Sequence, residues 1–208
     1  MYSASDLKNT YNKVAEAWFK DHQDDAWWIE GTDKFVSFIE PCGAVLDAGC
    51  GCGIKSKYLS EKGLKVTGID FSEKLIEIAK KEFPGSEYMV IDMREVGKLN
   101  QKFDGVFAQA SLLHIPKKEI IDVLRNLLSV LKDSGYFYVA VKEKKPDGPD
   151  EEIKKENSYG YEYERFFSYF TLDELKKYLN EVGLRVCYES ITPSGNTRWI
   201  QVICQKIN

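Results

Sequence analysis

The chain has 208 residues, 43% of them hydrophobic and 30% charged, with a formal net charge of −4. This length suits one domain with a full core, and the composition excludes a disordered chain. The acidic balance argues against a large nucleic-acid partner, because the lysines at 142–145 and 154–155 are interleaved with or followed by acids.

The opening stretch MYSASDLKNTYNK has no basic patch followed by an apolar run. No later segment approaches the ~18 uncharged apolar residues of a membrane span. The expectations are a cytoplasmic location, no membrane partner, and a monomer or homodimer. Five cysteines, odd in number and scattered, read as reduced thiols.

In chain order, helical segments at 6–20 and 33–40 flank Trp27 and Trp28 and form an N-terminal cover over residues 1–40. From 44 to 141 strand-like and helix-like segments alternate, the pattern of a βαβ sheet. Strands are expected at 44–48, 65–70, 87–92, 103–109 and 136–141. Between them lie a helix at 54–62 stopped by Gly63, one capped by Ser72 and ended before Pro84, and a long amphipathic helix at 117–131. Residues 143–166 are charged, then aromatic, and carry Pro146 and Pro149; they read as a mobile insertion or lid. A helix at 172–182, capped by Thr171, leads to strands at 184–192 and 199–206 joined by a turn at 193–196, hence a closing antiparallel hairpin. The predicted fold is a single α/β domain over 1–208: a doubly wound, Rossmann-like sheet of about seven strands, mostly parallel, with helices on both faces.

Asp47, Asp70, Asp92 and His114 are separated by 23, 22 and 22 residues. Each falls within or just after a predicted strand end, so the repeat brings all four to the carboxyl edge of the sheet, where such folds bind ligands. Taken alone, Asp70 could be a turn residue and Asp92 a helix cap. The stretch VLDAGCGCG, residues 45–53, places glycines at alternate positions after a strand, which lets a ligand approach backbone N–H groups. Its G-x-G-x-G spacing is not the G-x-G-x-x-G of dinucleotide folds, and no P-loop lysine motif is present, Lys55 and Ser56 following at the wrong distance. An acid beside the turn, Asp47, suits a cationic ligand rather than a phosphate. Cys50 and Cys52 fill the gaps as packing groups, since C-x-C without a second pair is a poor zinc site.

VLDAGCGCG, VTGID ending in Asp70, VIDMREV around Asp92, and FDGVFAQASLLHIP before the long helix together resemble the successive motifs of class I S-adenosylmethionine-dependent methyltransferases, in particular their small, single-domain members. The resemblance spans roughly residues 34–206. It implies S-adenosylmethionine as cofactor, S-adenosylhomocysteine as product, and no metal. It further implies that Gly49, Gly51 and Gly53 pass beneath the methionine part, Asp47 helps to position its ammonium group, directly or through water, and Asp70 takes the two ribose hydroxyls. Phe71 would lie beside the adenine, Asp92 and Met93 would complete the adenine pocket, and Gln109 and Ala110 would flank the methionine moiety. Tyr11, in TYNKVAEAWF, matches a tyrosine-bearing N-terminal helix that covers the cofactor in many such enzymes.

His114 is the candidate general base, against the alternative that it caps the following helix or packs under the lid. His22, among Asp21, Asp24 and Asp25, reads as a surface residue. Candidate acceptor-lining residues are Trp27, Trp28, Tyr159, Tyr161, Tyr163, Arg165 and Phe166, with Arg198 and Trp199 as weaker cases. Each aromatic could equally pack the lid onto the sheet. Strand four ends FAQAS, unlike the Asn-Pro-Pro-Tyr type of signature used for exocyclic nitrogens. Three functions stay open: methyl transfer to a small molecule, methyl transfer to a protein or RNA, and a non-catalytic cofactor-binding module.

Overall fold

The computed structural model describes residues 2–207. Helix α1 (Ala4–Asp21) begins at a reciprocal cap, with Ser3 Oγ accepting from the Asp6 backbone N–H while the Asp6 carboxylate accepts from that of Ser3. Helix α2 is Ile29–Val36, starting four residues earlier than the sequence suggests and giving way to turns before Pro41. Then follow β1 (Ala44–Ala48), α3 (Ile54–Glu61), β2 (Lys65–Asp70), α4 (Glu73–Glu82), β3 (Glu87–Val90) and β4 (Phe103–Gln109). As expected, Ser72 caps α4, its Oγ accepting from the Leu75 N–H.

The long helix is shorter than its periodicity implies. A 3-10 turn at Lys117–Glu119 leads into α5 (Ile120–Ser129), and Leu131 already belongs to β5 (Leu131–Lys142), where it pairs with Phe103. An apolar residue at helical spacing was equally well suited to a buried strand. Strand β3 likewise stops at Val90, leaving Asp92 to cap a 3-10 turn by accepting from the Arg94 N–H.

The segment expected to be a mobile insertion or lid contains a hairpin, β6 (Glu151–Glu156) with β7 (Tyr163–Ser168). Its approach is fixed by Lys144 N–H to Phe170 O and Tyr169 N–H to Asp150 O, both 2.8 Å. The outer strand carries charges on both faces, which hid its alternation; the inner one buries Tyr163 and Phe167. Helix α6 (Leu172–Glu181) follows, capped by Thr171. The chain closes with β8 (Leu184–Ser194) and β9 (Thr197–Lys206), joined by the two residues Gly195 and Asn196 rather than the four expected.

The main sheet has the order β3-β2-β1-β4-β5-β9-β8, with β1 to β5 parallel and β9 antiparallel to both its neighbours. Alternate residues of the inner strands face opposite layers. Leu46, Val106, Phe137 and Val202 pack with Leu124 and Leu127 of α5 and Leu179 of α6. Val45, Phe107, Tyr138 and Ile203 pack with Phe35 of α2 and Leu59 of α3. Strands covered on both faces read as continuous apolar runs, and helices on both faces confirm a doubly wound, Rossmann-like sheet. Strand order reverses between β1 and β4, so a crevice opens at their carboxyl ends.

Candidate active site

That crevice is a cleft of about 290 Å3, reached by the ends of β1, β2, β4 and β5, by α1 and by both hairpins. Glycines make the β1 turn possible. Gly49, Gly51 and Gly53 have φ of 81°, 54° and 81°, the left-handed region that other residues avoid. A side chain on Gly49 would meet Ser111 Cβ at 2.4 Å, whereas one on Gly51 would point past Trp18 at 3.6 Å. Gly53 serves packing instead: its added Cβ would meet Tyr88 Oη at 2.8 Å, and it does not line the cleft.

Asp70 ends β2 and lines the cleft while 6% exposed. Its Oδ2 accepts from the Gly51 N–H at 3.0 Å and its Oδ1 from the Ser72 N–H at 2.9 Å. Each oxygen keeps a lone pair for a further donor. Burial pushes this carboxyl up to about 6. Asp92 lines the cleft with Met93, Phe71 and Ile91; besides its capping bond it pairs with Arg94 at 3.2 Å.

Asp47 ends up behind the glycine turn, out of direct reach of the cleft. It is 2% exposed, lies beneath the turn rather than in the cleft, and accepts from Ser56 Oγ at 2.6 Å. Desolvation raises it to about 7. Its side chain shares the face of Val45 and Phe107, turned toward α3, as the alternation along β1 dictates.

On the opposite wall β4 delivers Gln109, Ala110 and Ser111. Ala110 holds φ 50°, a conformation that costs an alanine about 1–2 kcal/mol and that the neighbouring strand pins through Ala110 N–H to Ala140 O at 2.9 Å. Ser111 Oγ donates to Ala48 O at 2.7 Å, tying β4 to β1. The Gln109 amide is 7% exposed, and neither its nitrogen nor its oxygen has a partner. A buried amide left open on both sides points to a group that arrives from outside.

His114 joins three elements. The Phe166 carbonyl can only accept, so Nδ1 carries the proton and donates to it at 2.7 Å, and Nε2 accepts from Tyr11 Oη at 2.7 Å. Arg165 donates to the same Tyr11 hydroxyl at 3.3 Å and is held by both oxygens of Glu156 at 2.6 and 2.8 Å. Burial, with Arg165 nearby, pushes His114 down to about 3. The imidazole is thus neutral with both nitrogens engaged: α1, the β4 loop and the hairpin β6–β7 meet on it.

Of the candidate acceptor residues, Trp27, Arg165 and Trp199 line the cleft, the two tryptophans stacked at 4.0 Å and 9°. Trp28 is buried in the core against Tyr58. Tyr159, Tyr161 and Tyr163 pin the hairpin to α1, and Phe166 contributes its carbonyl. Arg198 is exposed, paired with Glu143.

His22, expected at the surface, is half-buried: it stacks on Trp18 at 4.3 Å, and both line the cleft. The sequence reading also passed over two lysines. Lys55, two residues after the glycine turn, lines the cleft with its ammonium 5.2 Å from the Trp28 ring. Lys142 ends β5 with its ammonium 4.0 Å from the Phe167 ring. Lys55 was visible in the sequence only as a failed P-loop lysine. Cys50 and Cys52 are buried, and burial pushes the Cys52 thiol up to about 12. Among the described residues no group of three or more His, Cys, Asp or Glu could hold a metal.

A doubly wound sheet with a glycine turn, a buried acid at the end of β2 and an open cleft at its switch point makes this a Rossmann-like α/β protein with a ligand cleft at the carboxyl edge of its sheet. Residues 45–135 match the family described as a methyltransferase domain. A curated relative, the ubiquinone biosynthesis O-methyltransferase of Coxiella burnetii, is 30% identical over 144 residues, 61% of each chain. The chain spans 45% and 61% of the length of the first curated relatives it matches. Two solved structures share the fold. One is the Burkholderia thailandensis 1,6-didemethyltoxoflavin-N1-methyltransferase with bound 1,6-didemethyltoxoflavin and S-adenosylhomocysteine, at TM-score 0.78 and 18% identity over 99% of this chain and 89% of that one. The other is the CcbJ methyltransferase of Streptomyces caelestis, at TM-score 0.78 and 15% identity over 100% of both chains.

Proposed function

We propose that the chain is an S-adenosylmethionine-dependent methyltransferase acting on a small molecule. The observation that carries this reading is Asp70: a buried carboxylate at the end of β2, anchored by the glycine turn and still able to accept two hydroxyl donors. The orphaned Gln109 amide and the bare backbone at Gly51 support the fit, since each leaves room or hydrogen-bonding capacity for a polar, elongated ligand.

When bound, the cofactor supplies a sulfonium methyl group. In this reading Asp70 holds the ribose, Phe71, Asp92 and Met93 receive the adenine, and Gly49, Gly51, Gln109 and Ala110 face the methionine portion. Lys55, at the N-terminal end of α3, suits the methionine carboxylate through its charge and the helix dipole. Asp47 contributes from behind, as a negative group under the turn. Tyr11 and Trp18 cover the cleft from α1 and exclude water. Holding two reactants in line is worth up to about 7–11 kcal/mol of barrier. His114 is a positioning residue here, because its free lone pair is already used by Tyr11.

The acceptor half is compact and bounded by tryptophans, which favours a small acceptor over a protein or RNA. The relatives' names point the same way, to ubiquinone biosynthesis and to 1,6-didemethyltoxoflavin. The test is transfer of labelled methyl from S-adenosylmethionine across a metabolite library. Label is expected in at least one small molecule, with equimolar S-adenosylhomocysteine; label appearing only in protein or RNA would contradict the reading.

A further inference from the structure

The cleft holds more positive charge than the proposed cofactor uses. Arg94 is neutralised by Asp92 and Glu119, and Arg165 by Glu156. Lys55 lies at the glycine turn. Lys142 remains: among the described residues its ammonium has no hydrogen-bond or ion-pair partner and lies near the rings of Phe167 at 4.0 Å and Trp199 at 5.9 Å, with Glu152 and Glu156 further off. A cation over a ring face is stabilised, yet none of its three N–H donors finds an acceptor there.

The register places Lys142 in a row of ligand-facing groups. Gln109 of β4 pairs with Ala140 of β5; Lys142 is two residues further along the same face and pairs with Trp199 of β9. Trp199 carries Trp27 stacked upon it. The row thus runs from the Gln109 amide, at the methionine end of the cofactor half, to an amine without an acceptor and a flat indole wall beyond it.

We propose that this half of the cleft binds an aromatic acid as its anion, with Lys142 pairing the charged group and the Trp27 and Trp199 indoles lying against the ring. The inference rests on the cofactor reading above, which fills the Asp70 half. With the anionic oxygen itself as the methyl acceptor, the oxygen–methyl bond forms as the sulfonium–methyl bond breaks, giving a neutral ester and S-adenosylhomocysteine with no proton released, so no base is needed and the engaged state of His114 is accounted for. Burial, with the neighbouring Arg165 and Lys154, brings Lys142 down to about 8 against the smaller opposing pull of Glu156 and Glu152.

The test is calorimetric binding of benzoate, benzamide and cyclohexanecarboxylate to the whole chain, with and without S-adenosylhomocysteine. Benzoate is expected to bind about tenfold more tightly than benzamide and more tightly than the non-aromatic acid. Lys142→Met should erase the preference over benzamide, and Lys142→Arg, which keeps the charge but cannot act as a base, should retain it. Unchanged S-adenosylhomocysteine affinity in both variants shows that the fold is kept. Equal binding of benzamide, indifference to Lys142→Met, or no binding of benzoate at millimolar concentration would overturn the proposal. If S-adenosylhomocysteine itself fails to bind, the cofactor reading falls, while the benzoate comparison on the unloaded protein still decides the anion site.

Discussion

Asp47 and Asp70 sit one strand apart and are both buried acids, yet their surroundings give them different work. Asp70 spends its charge on two backbone N–H donors and faces the cleft; Asp47 has a single hydroxyl partner and faces the core. Both carboxyls are raised by desolvation, Asp47 to about 7 from an ordinary 3.8. A raised acid favours the folded state at low pH, and that contribution is lost as pH rises through the folded value, because the native chain then holds a buried charge. Asp47→Asn keeps the Ser56 bond without the charge. Thermal melts should show the variant gaining stability over the parent as pH rises through about 7, together with weaker S-adenosylmethionine binding. A constant difference across pH would show that Asp47 binds its proton equally in the folded and unfolded chain, as a solvated carboxylate does, and would contradict its desolvation.

At the scale of elements, the meeting of α1, the β4 loop and the β6–β7 hairpin on His114 fixes the roof of the cleft. Tyr11→Phe removes the hydroxyl that both Arg165 and His114 use. The imidazole nitrogen is then left without a donor, at a cost of about 1–3 kcal/mol. Urea unfolding should report that loss, and hydrogen exchange should show faster opening of α1 and β7, with β1 and β4 unaffected. Uniform protection across the chain would mean that the roof is held by apolar contacts alone.

The roof also marks where the sequence stops being readable. The strand ends were legible because one βα unit spans about 22 residues, so Asp70, Asp92 and the β4 end fall at the same edge. Which of two neighbours faces the ligand was not legible, since it depends on tertiary packing. Trp27 reaches the cleft and Trp28 the core; Gly51 faces the cleft and Gly53 faces Tyr88. The lid hairpin escaped notice because an outer strand exposed on both faces carries no alternation to read. Lys142 escaped because a lysine at a strand end looks like any solvated charge until its partners are counted.

For the whole molecule, the switch point of the sheet is the proposed meeting place of two ligands, a cofactor reaching from Asp92 and Asp70 to Gln109 and an acceptor beside Lys142. No helix among the described residues is long and apolar enough to cross a membrane. The central claim is that this cleft binds S-adenosylmethionine and its product through Asp70. Its most direct test is a calorimetric titration of S-adenosylhomocysteine into the parent and into Asp70→Ala. The account predicts saturable one-to-one binding weakened by about tenfold or more in the variant, as the loss of hydrogen bonds to a charged group requires. Absence of binding to the parent, or equal affinity in the two proteins, would contradict it.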